Sequence, residues 1–434
     1  MWMLGYSILA HLAFVVALPW LSLRAWRKGK FAQGMGERFG KLEGPWVGEA
    51  AGKRPIWIHA VSVGEAQMLP PVLARLKERF PDVPVVISTN TVTGQDIAKG
   101  FAEVAGTFYI PIDFGWAVRK LLVTLRPRLL VIMETEIWPN LIVQSDRAGV
   151  PVVFLNGRIS DSSFGGYLKA KWFMKRVLAR VTAFGMRSNV DAERIVEIGA
   201  ASERVRVTGN LKYESADALC HEEEGLTRKK FGIGQEEIVL IGGSTFPGEE
   251  AMLLRVYQAC LEDHPSARLI LAPRHPQRFE EALTAIESAG LPVAQRSHGQ
   301  LPETRDLPKP VILLDVMGEL KRVYGLVDLV FIGKSMRLSP KGNGGQNPLE
   351  AAAWSKPILF GPSMENFQEV ADSLTAKGGT VVVENEEDLL NEIRDLLSNS
   401  ERRASMGERA RSVIQDSLGA ADRCMEILEE ALKG

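Results

Sequence analysis

Short runs of Val, Ile and Leu alternate with helix-length amphipathic segments along most of this chain, and they do so in two successive series. In the first, Pro55–Val61, Val83–Ser88, Leu129–Glu134, Val152–Asn156 and Ala183–Arg187 read as strands, with helices such as Met68–Phe80 and Gln95–Ala102 between them. In the second, Ile238–Gly242, Arg268–Ala272, Val311–Leu314, Leu329–Ile332, Pro357–Phe360 and Thr380–Val383 read as strands. Strands that are apolar throughout, rather than at every second residue, belong in a parallel sheet covered on both faces. Right-handed crossovers make each series a doubly wound α/β lobe, and 434 residues are enough for two. The expected architecture is two Rossmann-like lobes facing a cleft, residues 31–211 and 212–434, with Val207–Tyr213 as the hinge. The last helix, from about Arg402, is expected to pack back across the lobes. In such sheets ligands bind outside the carboxyl ends of the strands, so function is sought there.

Ahead of the first lobe, Met1–Leu23 holds no Lys, Arg, Asp or Glu, and Arg24, Arg27, Lys28 and Lys30 follow it. As a helix this stretch reaches ~34 Å, enough to cross a hydrocarbon core. Apolar first and basic second is the reverse of a cleavable signal peptide, and the basic collar holds the following chain on the cytoplasmic side. Trp2, Trp20 and Trp26 suit the two interfaces. Residues 1–30 are therefore expected to form a membrane anchor. The alternative is a helix packed on the globular body or lying flat in the interface, with Pro19 allowing a bend. The net charge of −1 hides this asymmetry: residues 1–41 carry six basic side chains against Glu37, a net of +5, which leaves −6 for the rest. Such a balance disfavours a globally basic nucleic-acid binder. Cys220, Cys260 and Cys424 are too scattered for a disulfide framework or a zinc site, which fits a reducing compartment.

Four strand ends carry candidate chemistry. Ser62-Val63-Gly64-Glu65 follows the first strand and puts Glu65 in the first turn of a helix, where a carboxylate is at least a partner for the helix dipole. Met133-Glu134-Thr135-Glu136-Ile137-Trp138-Pro139-Asn140 holds two carboxylates two residues apart. They are expected to diverge, one pointing into the cleft and the other capping or bracing a neighbouring loop. In the second lobe, Gly242-Gly243-Ser244-Thr245 can set amides and a hydroxyl around a phosphate, although it is not a Walker loop. Ala272-Pro273-Arg274-His275-Pro276 adds a planar guanidinium and a second donor. Gly342-Asn343-Gly344-Gly345-Gln346-Asn347-Pro348-Leu349-Glu350 runs glycines into a helix start, where amides approach a phosphate and Glu350 can hold ribose hydroxyls. Each piece alone is an ordinary cap. Their conjunction in one lobe points to a nucleotide pocket.

One further stretch, Ser162–Val190, contains Lys169, Lys171, Lys175, Arg176, Arg180 and Arg187 and no acid, with Tyr167, Trp172, Phe173 and Met174 among them. A solvated face usually mixes both signs, so this one suggests an anionic surface. An anionic lipid headgroup beside the anchor is a simpler partner than nucleic acid, for which no recognised module is present.

In this order the motifs resemble the Kdo transferases, GT-B glycosyltransferases that move 3-deoxy-D-manno-octulosonic acid (Kdo) from its CMP-activated form to lipid A precursors. The matching segments are His59-Ala60-Val61-Ser62-Val63-Gly64-Glu65, Glu134-Thr135-Glu136-Ile137-Trp138-Pro139-Asn140, Leu155-Asn156-Gly157-Arg158-Ile159-Ser160, Gly209-Asn210-Leu211-Lys212, Ala272-Pro273-Arg274-His275-Pro276 and Gly344-Gly345-Gln346-Asn347-Pro348-Leu349-Glu350. The resemblance implies an inverting enzyme of lipopolysaccharide core biosynthesis, held at the cytoplasmic face of the inner membrane of a Gram-negative-type bacterium. CMP-Kdo is the implied donor and a lipid IVA-type precursor the acceptor, with no metal, no cofactor and no obligate protein partner.

The resemblance further implies that Glu65 corresponds to the general base and that Glu134 lies in the acceptor and catalytic region. Arg274, His275, Asn347 and Glu350 are implied to help bind CMP-Kdo, with Ser244, Thr245, Pro273, Gly344 and Gly345 around it. Two departures stand out. Gln346 replaces a more common His, and Gly333-Lys334-Ser335 replaces a more usual Gly-Gly-Ser, with Met336–Asn343 enlarging that loop. The residue types fit the chemistry: Arg274 can meet charge on departing CMP, and a cleft carboxylate can take the acceptor's proton. On the residues alone, a GT-B enzyme using UDP-sugars (transferase or epimerase) and a non-catalytic membrane-tethered lipid or nucleotide binder remain alternatives.

Overall fold

The computed structural model describes the chain except residues 1, 29–33, 219–225, 302, 304–307, 339–342 and 434, and over residues 17–28 it describes the backbone alone. The chain divides into two compact units, Met1–Ser215 with Ser417–Gly434, and Ala216–Asp416. The division falls inside the helix Leu211–Ala218.

The first unit is built on a seven-stranded parallel sheet: β1 (Ile56–His59), β2 (Val85–Thr89), β3 (Val104–Tyr109), β4 (Leu129–Met133), β5 (Val152–Gly157), β6 (Ala183–Met186) and β7 (Val205–Val207), in the spatial order β3-β2-β1-β4-β5-β6-β7. β1, β2, β4 and β5 are buried along their whole length, which is why they lack alternation. The chain builds outward from β1 through β2 to β3, then returns to place β4 on the other side of β1. The switch point of this sheet therefore lies between β1 and β4. One face packs Trp57, Phe108, Phe154 and Phe184 under flanking helices. The other is covered in part by the last helix, Ala420–Lys433, whose Cys424, Ile427 and Leu428 join Ile56, Ile58 and Val131.

The second unit repeats the plan with β8 (Val239–Thr245), β9 (Arg268–Pro273), β10 (Val293–Gln295), β11 (Val311–Leu313), β12 (Leu329–Ile332), β13 (Ile358–Phe360) and β14 (Thr380–Val382), in the order β10-β11-β9-β8-β12-β13-β14. Its switch point lies between β8 and β12. Three strands escape the sequence reading, β3, β7 and β10, and all three are sheet edges. Free cysteines Cys260 and Cys424 are buried; Cys220 lies outside the described residues.

No helix among the described residues is long and apolar enough to cross a membrane. The helix Trp2–Lys28 is docked on the first unit through its early turns. Trp2 and Tyr6 meet Phe173, the Tyr6 hydroxyl donates to Asp113 Oδ2 at 2.8 Å, His11 stacks on Phe114, and Phe14 meets Phe39 and Phe114. The outward face is the oilier one: Leu4, Ile8, Leu9, Leu12, Val15 and Val16 are all exposed, the last by 79%. The side chains of Pro19, Trp20, Arg24, Trp26, Arg27 and Lys28, and all of Lys30, lie outside what the structure describes.

Candidate active site

Both switch points carry the loops that the sequence singles out. At the first, β1 ends on His59, which is fully buried with Nδ1 at 3.1 Å from Ser88 O and 3.0 Å from Ser88 Oγ. Burial pushes its imidazole down to about 4, so it stays neutral and braces β1 to β2. The chain then turns through Ser62 into the single-turn helix Val63–Ala66, which carries Glu65. Only 6% of Glu65 is exposed. Its Oε2 accepts from the Val61 N–H at 2.5 Å, and its Oε1 lies 3.4 Å from the Ser62 hydroxyl. Burial pushes its carboxyl up to about 8, with the negative neighbours Glu134 and Glu136 adding to the rise and the Val61 and Ser62 donors opposing it.

Glu134, the residue after β4, has φ +54°, in the left-handed region, and its N–H donates to Leu155 O at 2.8 Å. Contrary to the expectation that they diverge, Glu134 and Glu136 both line one polar pocket of about 210 Å³, with Thr135, Arg158, Ser160, Ser163 and Tyr167. Bracing falls to Thr135 instead, whose hydroxyl donates to Arg158 O and accepts from the Arg158 N–H at 2.7 Å. Burial, then Glu134, raises the Glu136 carboxyl. Burial, then Glu136, raises the Tyr167 phenol. Asn156, also left-handed at φ +55°, accepts from the Leu211 N–H at 2.9 Å and so ties the Leu155-Asn156-Gly157 segment to Gly209-Asn210-Leu211.

Sequence reasoning missed Asp113. It is 6% exposed and accepts from the Asn140 and Leu141 N–H groups at 2.9 and 2.8 Å, capping the helix Pro139–Arg147 and receiving Tyr6 as well. Of the basic stretch, Lys169, Lys171, Lys175 and Arg176 are exposed beside Trp172, itself 61% exposed, and Arg176 lies over that ring. Arg180 is instead paired with Asp146 at 2.8 Å, and Arg187 with Asp191 at 3.2 Å.

At the second switch point, β8 bulges at Ser244, which has φ +55°. Thr245 is fully buried with its hydroxyl donating to Glu250 Oε1 at 2.7 Å, so it is not presented to a ligand. Pro273 is buried opposite Thr245 in the sheet. Arg274 and His275 are exposed. Burial and then the charges of Arg274, Arg278 and Lys334 hold the His275 imidazole below its usual value.

Glu249 and Glu250, absent from the sequence expectations, lie in the first turn of the helix Glu249–Leu261 and brace the loops of the second switch point. Glu250 holds Arg278 through two bonds, 2.7 and 2.9 Å. Glu249, 1% exposed, accepts from the N–H groups of Phe246, Lys334, Ser335 and Met336. Gly333 must be glycine, because a Cβ there would meet Ser244 O at 2.5 Å. Gly344 and Gly345 sit at φ +107° and +70°, but their N–H groups donate to Ser363 Oγ and Lys334 O at 2.9 and 2.8 Å. The glycine turn therefore places the loop without offering those two amides to a phosphate. Glu350 lies in the first turn of the helix Leu349–Ala353, raised by burial against the opposing charge of Arg274, with Asn347 bonding to it. Gly342 lies outside the described residues.

The chain resembles known proteins in sequence and in fold. Residues 33–215 match the family model described as 3-deoxy-D-manno-octulosonic-acid transferase (kdotransferase). The chain is 30% identical to a 3-deoxy-D-manno-octulosonic acid transferase of Haemophilus influenzae, over 100% of this chain and 99% of that protein. It is 32% identical to one of Bordetella pertussis, over 95% and 96%. Among solved structures, a UDP-GlcNAc 2-epimerase of Neisseria meningitidis bound to UDP-GlcNAc matches with TM-score 0.60 at 13% identity, over 87% of this chain and 100% of that one. A glycosyltransferase of Rickettsia africae matches with TM-score 0.55 at 14% identity, over 88% and 99%. These two share the fold, the GT-B pairing of parallel-sheet α/β lobes. Full-length similarity at this level makes the chain a glycosyltransferase that belongs to the 3-deoxy-D-manno-octulosonic acid transferase family.

Proposed function

We propose that the chain moves Kdo from CMP-Kdo to a hydroxyl of a lipid A precursor in lipopolysaccharide core assembly, by a single inverting displacement. Glu65 carries this reading. It is a carboxylate at the first switch point, shielded from water and pushed up to about 8, where a carboxylate is basic enough to take a hydroxyl proton. As that proton passes to Glu65, the acceptor oxygen bonds to the anomeric carbon and the bond from that carbon to the CMP phosphate oxygen breaks. The pocket of Glu134, Glu136, Arg158 and the Ser160, Ser163 and Tyr167 hydroxyls suits a sugar of the acceptor. In the second unit, Arg274 and His275, with the Ser244 hydroxyl, meet the charge on departing CMP, while Glu350 serves its ribose and Asn347 orients Glu350. The scheme calls on no metal and no cofactor.

The same reading places the protein at the cytoplasmic face of an anionic inner membrane. The outward stripe Leu4, Ile8, Leu9, Leu12, Val15 and Val16 is hydrocarbon on a helix whose Tyr6 and Ser7 hydroxyls bond to Asp113 and Asn140 and whose His11 ring stacks on Phe114. Its partner Phe173 belongs to the helix Lys171–Leu178, which also presents Lys171, Lys175 and Trp172. Such a surface lies in the headgroup region with its apolar side down.

The deciding experiment incubates the protein with CMP-Kdo and a lipid A precursor and weighs the lipid by mass spectrometry. Wild type should add Kdo. Glu65→Gln should keep its circular dichroism and its CMP affinity while losing about 10²–10⁴ in turnover. Transfer by Glu65→Gln near the wild-type rate removes Glu65 as base, and no Kdo addition by folded wild type removes the activity.

A further inference from the structure

The loop after β12 presents Lys334 in a setting that calls for an anion. Lys334 has φ +60°, a left-handed conformation that favours glycine over a residue with a long side chain. Its backbone is held in that state from both sides: its N–H donates to Glu249 Oε2 at 2.7 Å, and its carbonyl accepts from Gly345 at 2.8 Å. The side chain reaches back so that Nζ stands 5.3 Å from the centroid of the Phe246 ring, which in turn meets the His275 ring edge-on at 5.5 Å. Lys334 therefore lies at the carboxyl end of β12, beside the switch point, in one cluster with Arg274 and His275.

Among the described residues, neither the Lys334 ammonium nor the Arg274 guanidinium forms a direct salt bridge, although the charge of Arg274 acts on the buried Glu350 carboxyl. Arg278, the other cation of the cluster, is spent on Glu250 and Glu281. Backbone donors are spent too. The amides of Phe246, Lys334, Ser335 and Met336 are taken by the Glu249 carboxylate, and those of Gly344 and Gly345 by Ser363 and Lys334. With these six amides serving the protein, the side-chain cations Lys334 and Arg274 carry the positive charge this cluster offers an anion.

We propose that Lys334 is a donor-binding residue of this chain, its ammonium taking an anionic oxygen of the activated sugar alongside Arg274. The inference rests on the donor reading given under Proposed function. Two oxygens of that donor share the required chemistry, the nucleotide phosphate and the sugar carboxylate.

The test is calorimetric titration of the full-length protein with CMP and with cytidine, and donor kinetics, for wild type, Lys334→Gly, Lys334→Met and Lys334→Arg. Lys334→Gly and Lys334→Met should each lose roughly tenfold or more in affinity for the anionic species, and Lys334→Arg should recover most of it. Weaker CMP binding with cytidine unchanged assigns the ammonium to the phosphate. Unchanged CMP binding with a raised donor KM assigns it to the sugar carboxylate. Lys334→Gly should also melt higher than wild type without nucleotide, because glycine removes the left-handed strain; a residue kept for packing would melt lower. Wild-type values of both CMP affinity and donor KM in Lys334→Gly overturn the proposal. If wild type binds UDP and not CMP, the CMP-Kdo reading fails instead, and loosened UDP binding by Lys334→Met would still uphold the role of Lys334.

Discussion

Glu65 shows how two opposing sets of neighbours set a single proton. Burial and the negative charges of Glu134 and Glu136 disfavour its ionised form, and the Val61 and Ser62 donors favour it, with burial dominant. With Glu65 as the proposed base, which must be ionised to accept a proton, the transfer rate should climb with pH to a plateau above about 8. Glu134→Gln removes a like charge and should move the midpoint of that limb to lower pH, whatever it does to the plateau height. A midpoint that stays put or moves up would show that another group titrates. Linkage gives a second observable with its sign fixed. The folded value lies above the unfolded carboxylate value, so the stability this group contributes is fully present below the unfolded value and drains away as pH rises toward about 8. Glu65→Gln cannot ionise. Its melting temperature should therefore gain on wild type progressively between pH 5 and pH 8, and thermal melts across that range will check it.

At the scale of elements, the sequence was most readable where the sheet is most enclosed. β1, β2, β4, β8 and β9 are buried along their whole length, and their unbroken apolar runs announce them. β3, β7 and β10 lie at sheet edges, carry partly exposed residues and mix Gly, Thr, Arg or Gln into their runs, which blurs the signal. The motif loops were legible because glycines and acids gather at strand ends. Their internal geometry was not. The expected divergence of Glu134 and Glu136 has no basis in strand geometry, which sets residues two apart on one side, and Glu134 at φ +54° is not on extended backbone at all. Nor does an acid in a helix's first turn reveal that it will reach across to another loop, as Glu249 does to residues 334–336. That brace makes a prediction about the element rather than the residue. Glu249→Ala strands four N–H donors at a buried site, so it should destabilise the second unit by about 3 kcal/mol or more in urea unfolding. Amide exchange should rise at 334–336 first. A change within about 0.5 kcal/mol, the range of an ordinary surface substitution, would mean that the loop after β12 holds its shape without the carboxylate.

For the molecule as a whole, the question is where its charge and its oil are displayed. A water-soluble protein hides hydrocarbon and shows polar groups, yet the N-terminal helix turns Tyr6, Ser7 and His11 inward and leaves Leu4, Ile8, Leu9, Leu12, Val15 and Val16 outside. Lys169, Lys171 and Lys175 stand on the same unit as that face, with no salt bridge to a carboxylate among the described residues. An apolar stripe and a one-signed patch act on a membrane by different forces, so they can be separated. The stripe should support binding to vesicles of any charge in proportion to the area it buries, and each lysine should add about 1 kcal/mol on anionic vesicles alone. Cosedimentation of the full chain should then show three behaviours. Wild type binds anionic vesicles more tightly than zwitterionic ones, and salt erodes the difference. Changing Lys169, Lys171 and Lys175 to Glu abolishes the preference for anionic lipid while sparing zwitterionic binding. Leu9→Asp with Leu12→Asp weakens both, and lowers transfer to a vesicle-borne acceptor more than transfer to the same acceptor dispersed in detergent, because the membrane brings enzyme and lipid substrate together without altering the chemistry at Glu65. Equal loss in vesicles and in detergent would place those leucines in the folding of the unit and not at the membrane.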